Sequence, residues 1–496
     1  MRGEGLALST GSWALACCLA SCGGLALGAE RGPEARAWRY ELRIDDALSR
    51  LEVDVCFEGP APPVLAPIDR RGRRFLRSAD GPLGPDAAPL PRDADVVFTA
   101  HLPPDACVRY VVDLDAAARQ RGGITGAYRV GDDLIASTTV WLWAPRPRAP
   151  DARASARFTL PEGVVVSPLW PRDAERWYLD ARAFELEAFA AFGRFEVRHV
   201  GVPGACLHVS LLGRRVAMGH DALSASLARS AGAAALLFGR FPVSEASILA
   251  VPTPLSTTSP FGVVGRGTLP TVAILVGEQA APERLERAWV PVHEFSHLAV
   301  PLIERDDAWL SEGLATYYQE ILRARAGLIA PEEAWRNLDD GFARGRAGGT
   351  GRSLADESRD MRRTAAYRRV YWAGAAIALA ADVELRARGA RSLDDALAEL
   401  HACCHGGARP MPGRDAIERL DAASDGVFGR VARAALGSSE LLPLERTYRR
   451  LGLSHRADGS LAFDDAPDAR ALRDAITSPP AALDDVPPCG PWYARP

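Results

Sequence analysis

The sequence predicts an α+β protein: a β-sandwich-like N-terminal domain, then a small β-sheet with helices, then a helical continuation. Three observations carry this reading. Residues 37–200 alternate or cluster β-branched and aromatic side chains between Pro- and Gly-rich turns. From residue 201 short apolar runs and an Ala/Leu-rich helical stretch replace that pattern. After Glu278 the periodicity is helical almost to Leu451.

In chain order, "WRYELRI", "RLEVDVCF", "CVRYVVDL", "TTVWLWA" and "ARFTLP" read as strands of the first domain. No long amphipathic helix interrupts them, which fits a sandwich. "LHVSLL" opens the second domain as a strand, and "DALSASLARSAGAAALLFGRF" follows as a helix with Asp221 as N-cap. "ASILAVPT" and "TVAILVG" are two further strands bracketing the loop "PLSTTSPFGVVGRGTLP". "PERLERAWVPVHEFSHLAVPLI" reads as one helix blemished by Pro291. "DAWLSEGLATYYQEILRARAG" reads as another, with Asp307 placed to cap it. "GFARGRAGGTGRS" is expected to be a flexible surface loop that can act as a lid. These readings divide the chain into a leader (1–29), a β-rich domain (37–200), a second domain (201–335), a helical domain (336–455) and a tail (456–496).

The 496 residues suffice for several cores, and the net charge of −4 with no basic block gives nucleic acid no electrostatic footprint. The chain contains no lysine, which excludes Schiff-base, Ser–Lys and P-loop chemistry. Neither a G-x-S-x-G elbow nor a G-x-G-x-x-G loop occurs.

The uncharged apolar run over residues 6–29 reads as an export leader. Export would place the chain in a bacterial periplasm or cell envelope, or outside the cell. "LASC" resembles a lipobox and would make Cys22 a lipidated first residue; cleavage after Ala29 and an uncleaved anchor are the alternatives. Of nine cysteines, six follow the leader, an even number that permits disulfides. "HACCH" lacks the Cys-x-x-Cys spacing of metal sites, so Cys403 and Cys404 are expected to pair elsewhere or stay buried.

The chemistry-bearing stretch is "HEFSH". On a helix, residues four apart share a face, so His293 and His297 can reach one ion while Glu294 points to its open side. A catalytic zinc takes three protein ligands and a water, whose proton a nearby carboxylate accepts. Chance alone would give H-E-x-x-H on the order of once in a hundred such chains. Glu312, on the next helix after a short connection, supplies the third ligand.

"HEFSH" followed by "WLSEGLATYY" resembles the gluzincin metallopeptidases. "YRRVYWAGAAIALAADVELRARGARSLDDALAEL" and "FGRVARAALGSSELLPLERTYRRLGL" resemble the helical domain of the glycyl aminopeptidase family, kin of the aminopeptidase N family. "WRYELRI" with "RLEVDVCF" resembles its N-terminal β-domain. The resemblance implies a thermolysin-like catalytic domain with one Zn²⁺ on His293, His297 and Glu312, and Glu294 as general base. It implies Tyr371 as hydrogen-bond donor to the oxyanion, with Tyr367 one turn earlier as a rival.

Three departures qualify it. The connection from His297 to Glu312 is short and reads "LAVPLIERDDA", and Ala373 replaces a common lysine. "FGVVGRGT" stands where these enzymes carry an amine-gripping glutamate and holds no acid. Gly262 and Gly265 there would let an extended peptide pair with the strand, and Arg266 would repel an ammonium and favour a carboxylate or carbonyl. The expected function is an exported zinc metallopeptidase acting on peptide or protein, with exo- or endo-specificity open. The alternative is an inactive zinc-binding relative that binds peptide or envelope proteins.

Overall fold

The computed structural model describes residues 34–490 apart from 94, 121, 122, 214, 215, 255, 390 and 481. The leader with Cys22, and residues 491–496, lie outside the described residues.

The N-terminal part is three sheets around one core. In a seven-stranded sheet the inner strand Ala35–Ile44 runs parallel to Arg148–Thr159 and antiparallel to the central strand Arg50–Phe57. Alternation along Ala35–Ile44 sends Trp38, Tyr40, Leu42 and Ile44 inward, as the period of two requires. Those side chains meet Leu65, Leu134, Trp143 and Phe192 from the three- and four-stranded sheets. Cys56 and Cys107 face each other on adjacent strands and are bonded. "TTVWLWA" is not one strand: Ser137 accepts from the amide of Thr139 and starts a helical turn, Thr138–Trp141, before the strand Trp143–Arg146.

A five-stranded sheet follows, ordered Glu196–Val202, Ala205–Leu211, Glu245–Thr253, Thr271–Gly277, Gly262–Gly265. Its first strand spans the boundary expected at residues 200 and 201, because Glu196–Val202 pairs in a hairpin with Ala205–Leu211. Gly262–Gly265 is the edge strand, antiparallel to Thr271–Gly277 alone.

Helices complete the chain, and their core includes Trp309, Tyr317, Tyr318, Phe342 and Ile377. The helical part runs past residue 455, since Pro467–Thr477 is a helix whose Ile476 is fully buried and whose carbonyl accepts from Arg325. Residues 478–480 and 482–490 are irregular and are tied to the sheet by Cys206–Cys489.

The expected loop at residues 341–353 is mostly helix, Pro331–Ala347. Its glycines serve packing: a Cβ on Gly341 or Gly345 would strike the Trp372 side chain at 2.1 and 2.7 Å. Cys403 and Cys404 bond to each other, the other four described cysteines being already paired. Asp221 lies inside the first turn of Gly219–Ala235 and pairs with Arg198, while Met218 occupies the N-cap. Asp307 holds the expected N-cap position, but its carboxylate accepts from the amide of Gly413. Among the described residues no helix is long and apolar enough to cross a membrane.

Candidate metal centre

The expected single helix around "HEFSH" is two, Pro282–Glu286 and Trp289–His297. Pro291 therefore lies in a first turn, where its missing N–H has no intrahelical partner to lose. His293 and His297 stand one turn apart with ring centroids at 4.8 Å. The connection to the next helix, Ala308–Arg325, is clamped by Met411, which exchanges backbone hydrogen bonds with Leu302 and Glu304 at 2.7 and 2.9 Å.

That helix brings Glu312 to the histidines, its Oε2 lying 3.4 Å from His293 Nε2 and 3.5 Å from His297 Nε2. The three ligand atoms lie within 4.8 Å of one another. Zinc bonds of about 2.0–2.1 Å at tetrahedral angles set neighbouring ligand atoms roughly 3.3–3.5 Å apart. The donor set and its spacing thus fit zinc.

Burial raises the pKa of Glu294, an effect that His293 and His297 oppose and Glu312 reinforces. Burial would raise Glu312 as well, but His297 and His293 outweigh it and hold that carboxyl well below its usual range. The two carboxylates are thereby pushed apart, one toward proton uptake and one toward permanent charge.

Tyr371 comes from the helix Tyr367–Ala387, and its ring stacks on His293 at 6.1 Å. Burial, then the charges of Glu312 and Glu294, raise its phenol well above the ordinary value, so it stays a donor. This helix meets Ala308–Arg325 backbone to backbone: a Cβ on Gly313 would lie 2.3 Å from Gly374 Cα. The close crossing, three residues from Tyr371 and one from Glu312, sets the distance between those groups.

Gly262 and Gly265 have different surroundings. A Cβ on Gly262 would strike Glu294 Cγ at 2.4 Å, so the edge strand passes directly over the carboxylate. A Cβ on Gly265 would meet Thr271, Ala188 and Glu187, so that glycine belongs to the contact with the N-terminal domain. Arg266 does not face a ligand. It is half-buried and donates to the carbonyls of His297 (2.5 Å) and Val300 (2.7 Å), capping the end of the HEFSH helix.

Gln319, which the sequence reading did not single out, is the hydrogen-bond partner of His293. His293 Nδ1 donates to Gln319 Oε1 at 2.8 Å, which leaves Nε2 facing Glu312. Gln319 Nε2 donates to Glu320 at 3.0 Å, and Glu320 is held in turn by Arg323 and Asn337. This chain fixes both the amide orientation and the histidine tautomer. The available signal was helical spacing: Gln319 lies two turns after Glu312 on the same face.

The model of the M61 glycyl aminopeptidase family matches residues 302–378, a segment that holds Glu312 and Tyr371. No curated protein sequence matches the chain. Among solved structures, an aminopeptidase N family protein from Idiomarina loihiensis is similar with a TM-score of 0.66 and 16% identity, over 84% of this chain and 78% of that one. An M1 zinc metallopeptidase from Deinococcus radiodurans is similar with a TM-score of 0.53 and 15% identity, over 84% and 95%. A two-domain M1 zinc metallopeptidase variant bound to L-arginine gives 0.54 and 15%, over 84% and 96%. The chain therefore has the fold of the aminopeptidase N-like zinc metallopeptidases, and it resembles the glycyl aminopeptidases across the segment that carries Glu312 and Tyr371.

Proposed function

We propose that the protein is an exported zinc metallopeptidase that hydrolyses peptide bonds. The observation that carries this is the convergence of His293, His297 and Glu312 within 4.8 Å beside the buried Glu294. Zinc, when bound there, supplies a Lewis acid that polarises a carbonyl and acidifies water. Glu294 accepts a proton from the attacking water and returns it to the departing nitrogen, a task suited to a carboxyl whose pKa burial has raised. Tyr371 donates a hydrogen bond to the oxygen that gains charge. The edge strand Gly262–Gly265 offers free backbone groups to an extended peptide, and Gly262 lets that peptide lie close to Glu294.

Residues 1–29 would direct export to the periplasm, envelope or medium, with lipidation at Cys22 as one route to a membrane. Zinc analysis combined with cleavage of free-amine and N-blocked peptides tests the enzymatic reading. Glu294→Gln is expected to keep zinc and lose cleavage by roughly 10²–10⁴-fold. Zinc binding by the unaltered chain with no cleavage of either peptide class would instead identify a binding module for peptide or envelope protein.

A further inference from the structure

Cys403 and Cys404, adjacent in the chain, are bonded to each other at the end of the helix Leu393–Cys404. A cross-link stabilises mainly by restricting the unfolded chain, and more so the longer the loop it closes. Cys56–Cys107 and Cys206–Cys489 join residues 51 and 283 positions apart, whereas Cys403–Cys404 joins neighbours. Its bond closes the smallest loop a chain offers and adds little to global stability. It is also the most accessible pair: among the described cysteines Cys403 alone is exposed, while Cys404 is half-buried against the helical core. Access to one sulfur is what an attacking thiolate needs, and exposed disulfides are the labile ones.

The pair lies inside a clamp. Residues 401–413 hold the connection between the two metal-bearing helices at three places. His401 Nδ1 donates to the Ala299 carbonyl at 3.1 Å. Met411 exchanges backbone hydrogen bonds with Leu302 and Glu304 at 2.7 and 2.9 Å. The Gly413 amide donates to the Asp307 carboxylate at 2.9 Å, at the N-cap of the helix that carries Glu312. His297 and Glu312 flank this connection, so the way it is held sets their separation. Between the first and second of these contacts the chain passes through Cys403 and Cys404. Their ring fixes the backbone torsions of both residues. Opening it returns that freedom to the segment, which disfavours the closed clamp.

We propose that Cys403–Cys404 is a site of exchange with a low-molecular-weight thiol, and that its reduction loosens the clamp and with it the hold on a metal at His293, His297 and Glu312. The thiolate attacks the exposed Cys403 Sγ, forming a mixed disulfide and expelling Cys404 as thiolate. A second thiolate attacks the small-molecule sulfur of that mixed disulfide, releasing a free small disulfide and the Cys403 thiolate. Each cysteine takes up the proton that an attacking thiol released, so the small thiols are oxidised as the protein disulfide is reduced. The metal part rests on the zinc site proposed above; the thiol exchange and the clamp do not.

The test uses the zinc-loaded full chain in buffers of rising ratio of reduced to oxidised glutathione, with free thiols trapped by iodoacetamide and located by mass spectrometry. Cys403 and Cys404 are expected to be labelled at ratios that leave the other four described cysteines paired. Labelling of all three pairs together, or of Cys403 and Cys404 last, would overturn the exchange site. Hydrogen exchange reads the clamp: the amides of Glu304, Met411 and Gly413 are expected to exchange about tenfold faster once the pair is reduced. Cys403→Ser combined with Cys404→Ser opens the pair without added thiol, and so avoids zinc removal by the thiol itself. That variant is expected to show the same faster amide exchange and to release zinc to a chelator about tenfold faster than the oxidised chain. Unchanged amide exchange in the reduced chain overturns the clamp, whether or not the variant folds. Unchanged zinc release in a folded variant overturns the coupling to the metal. A chain that binds no zinc removes the site reading alone, since thiol labelling and amide exchange still decide the redox clamp.

Discussion

Glu294 and Glu312 show how one cluster shifts two carboxyls in opposite directions. Glu294 is buried and Glu312 half-buried; Glu312 faces two imidazoles, whereas Glu294 lies under the edge strand, where desolvation prevails. The donors around them give two further expectations. Gln319→Leu removes the acceptor of His293 Nδ1–H and frees the tautomer, so zinc affinity is expected to fall about 10–100-fold in chelator competition. Tyr371→Phe retains the ring stacked on His293 but removes the donor. It is expected to lower kcat roughly 10²–10³-fold with zinc content and KM little changed. Equal zinc affinity for the Leu variant, or unchanged kcat for the Phe variant, would remove these roles.

Two helix contacts set the geometry that those residues need. The first is the Gly313–Gly374 crossing, where no side chain fits between the backbones. Gly374→Ala would press a methyl to 2.0 Å from the Trp309 carbonyl, so the helices must part. Thermal or urea unfolding is expected to show a loss of about 1–3 kcal/mol or more, with zinc affinity falling alongside as Glu312 is displaced. The second contact is Arg266, which anchors the free carbonyls of the HEFSH helix to the segment after the edge strand. From sequence this arginine reads as a substrate contact, because a charged side chain in a Gly-rich strand ordinarily faces solvent. Two carbonyls at a helix end, far away in the chain, satisfy it instead.

For the molecule as a whole, stability is tied to the packing between the helical core and the metal-bearing segment. His401 occupies that seam, its Nδ1–H donating to the Ala299 carbonyl just beyond His297. Burial, with His405 adding repulsion, depresses its pKa to about 4. An unfolded chain takes up this proton near pH 6.5, so protonation favours unfolding between the two values. Stability is expected to fall by up to roughly 3 kcal/mol as pH drops from about 6.5 to about 4, and His401→Gln to flatten that part of the profile in urea titrations. An identical slope in the variant would exclude His401 as its source.

What could be read from the sequence was what local spacing decides. The strand alternation of "WRYELRI", the i and i+4 histidines and the downstream "WLSEG" each express a backbone period. They pointed to an α+β fold and to His293, His297 and Glu312, which the chain does bring together. Glycines were less legible, because one residue type serves turns and close approach alike. Gly341 and Gly345 read as a loop yet receive Trp372, and Gly265 reads as a peptide contact yet lies against Ala188. Gln319, Arg266 and the paired Cys403 and Cys404 were settled by partners that no local pattern names. By itself the sequence determined the residue types of the His–His–Glu group, their order and the helical state of the segments that carry them. Only the tertiary structure decided which donors hold the ligands and which rings border them, since long-range packing sets those distances and a helical or strand period cannot.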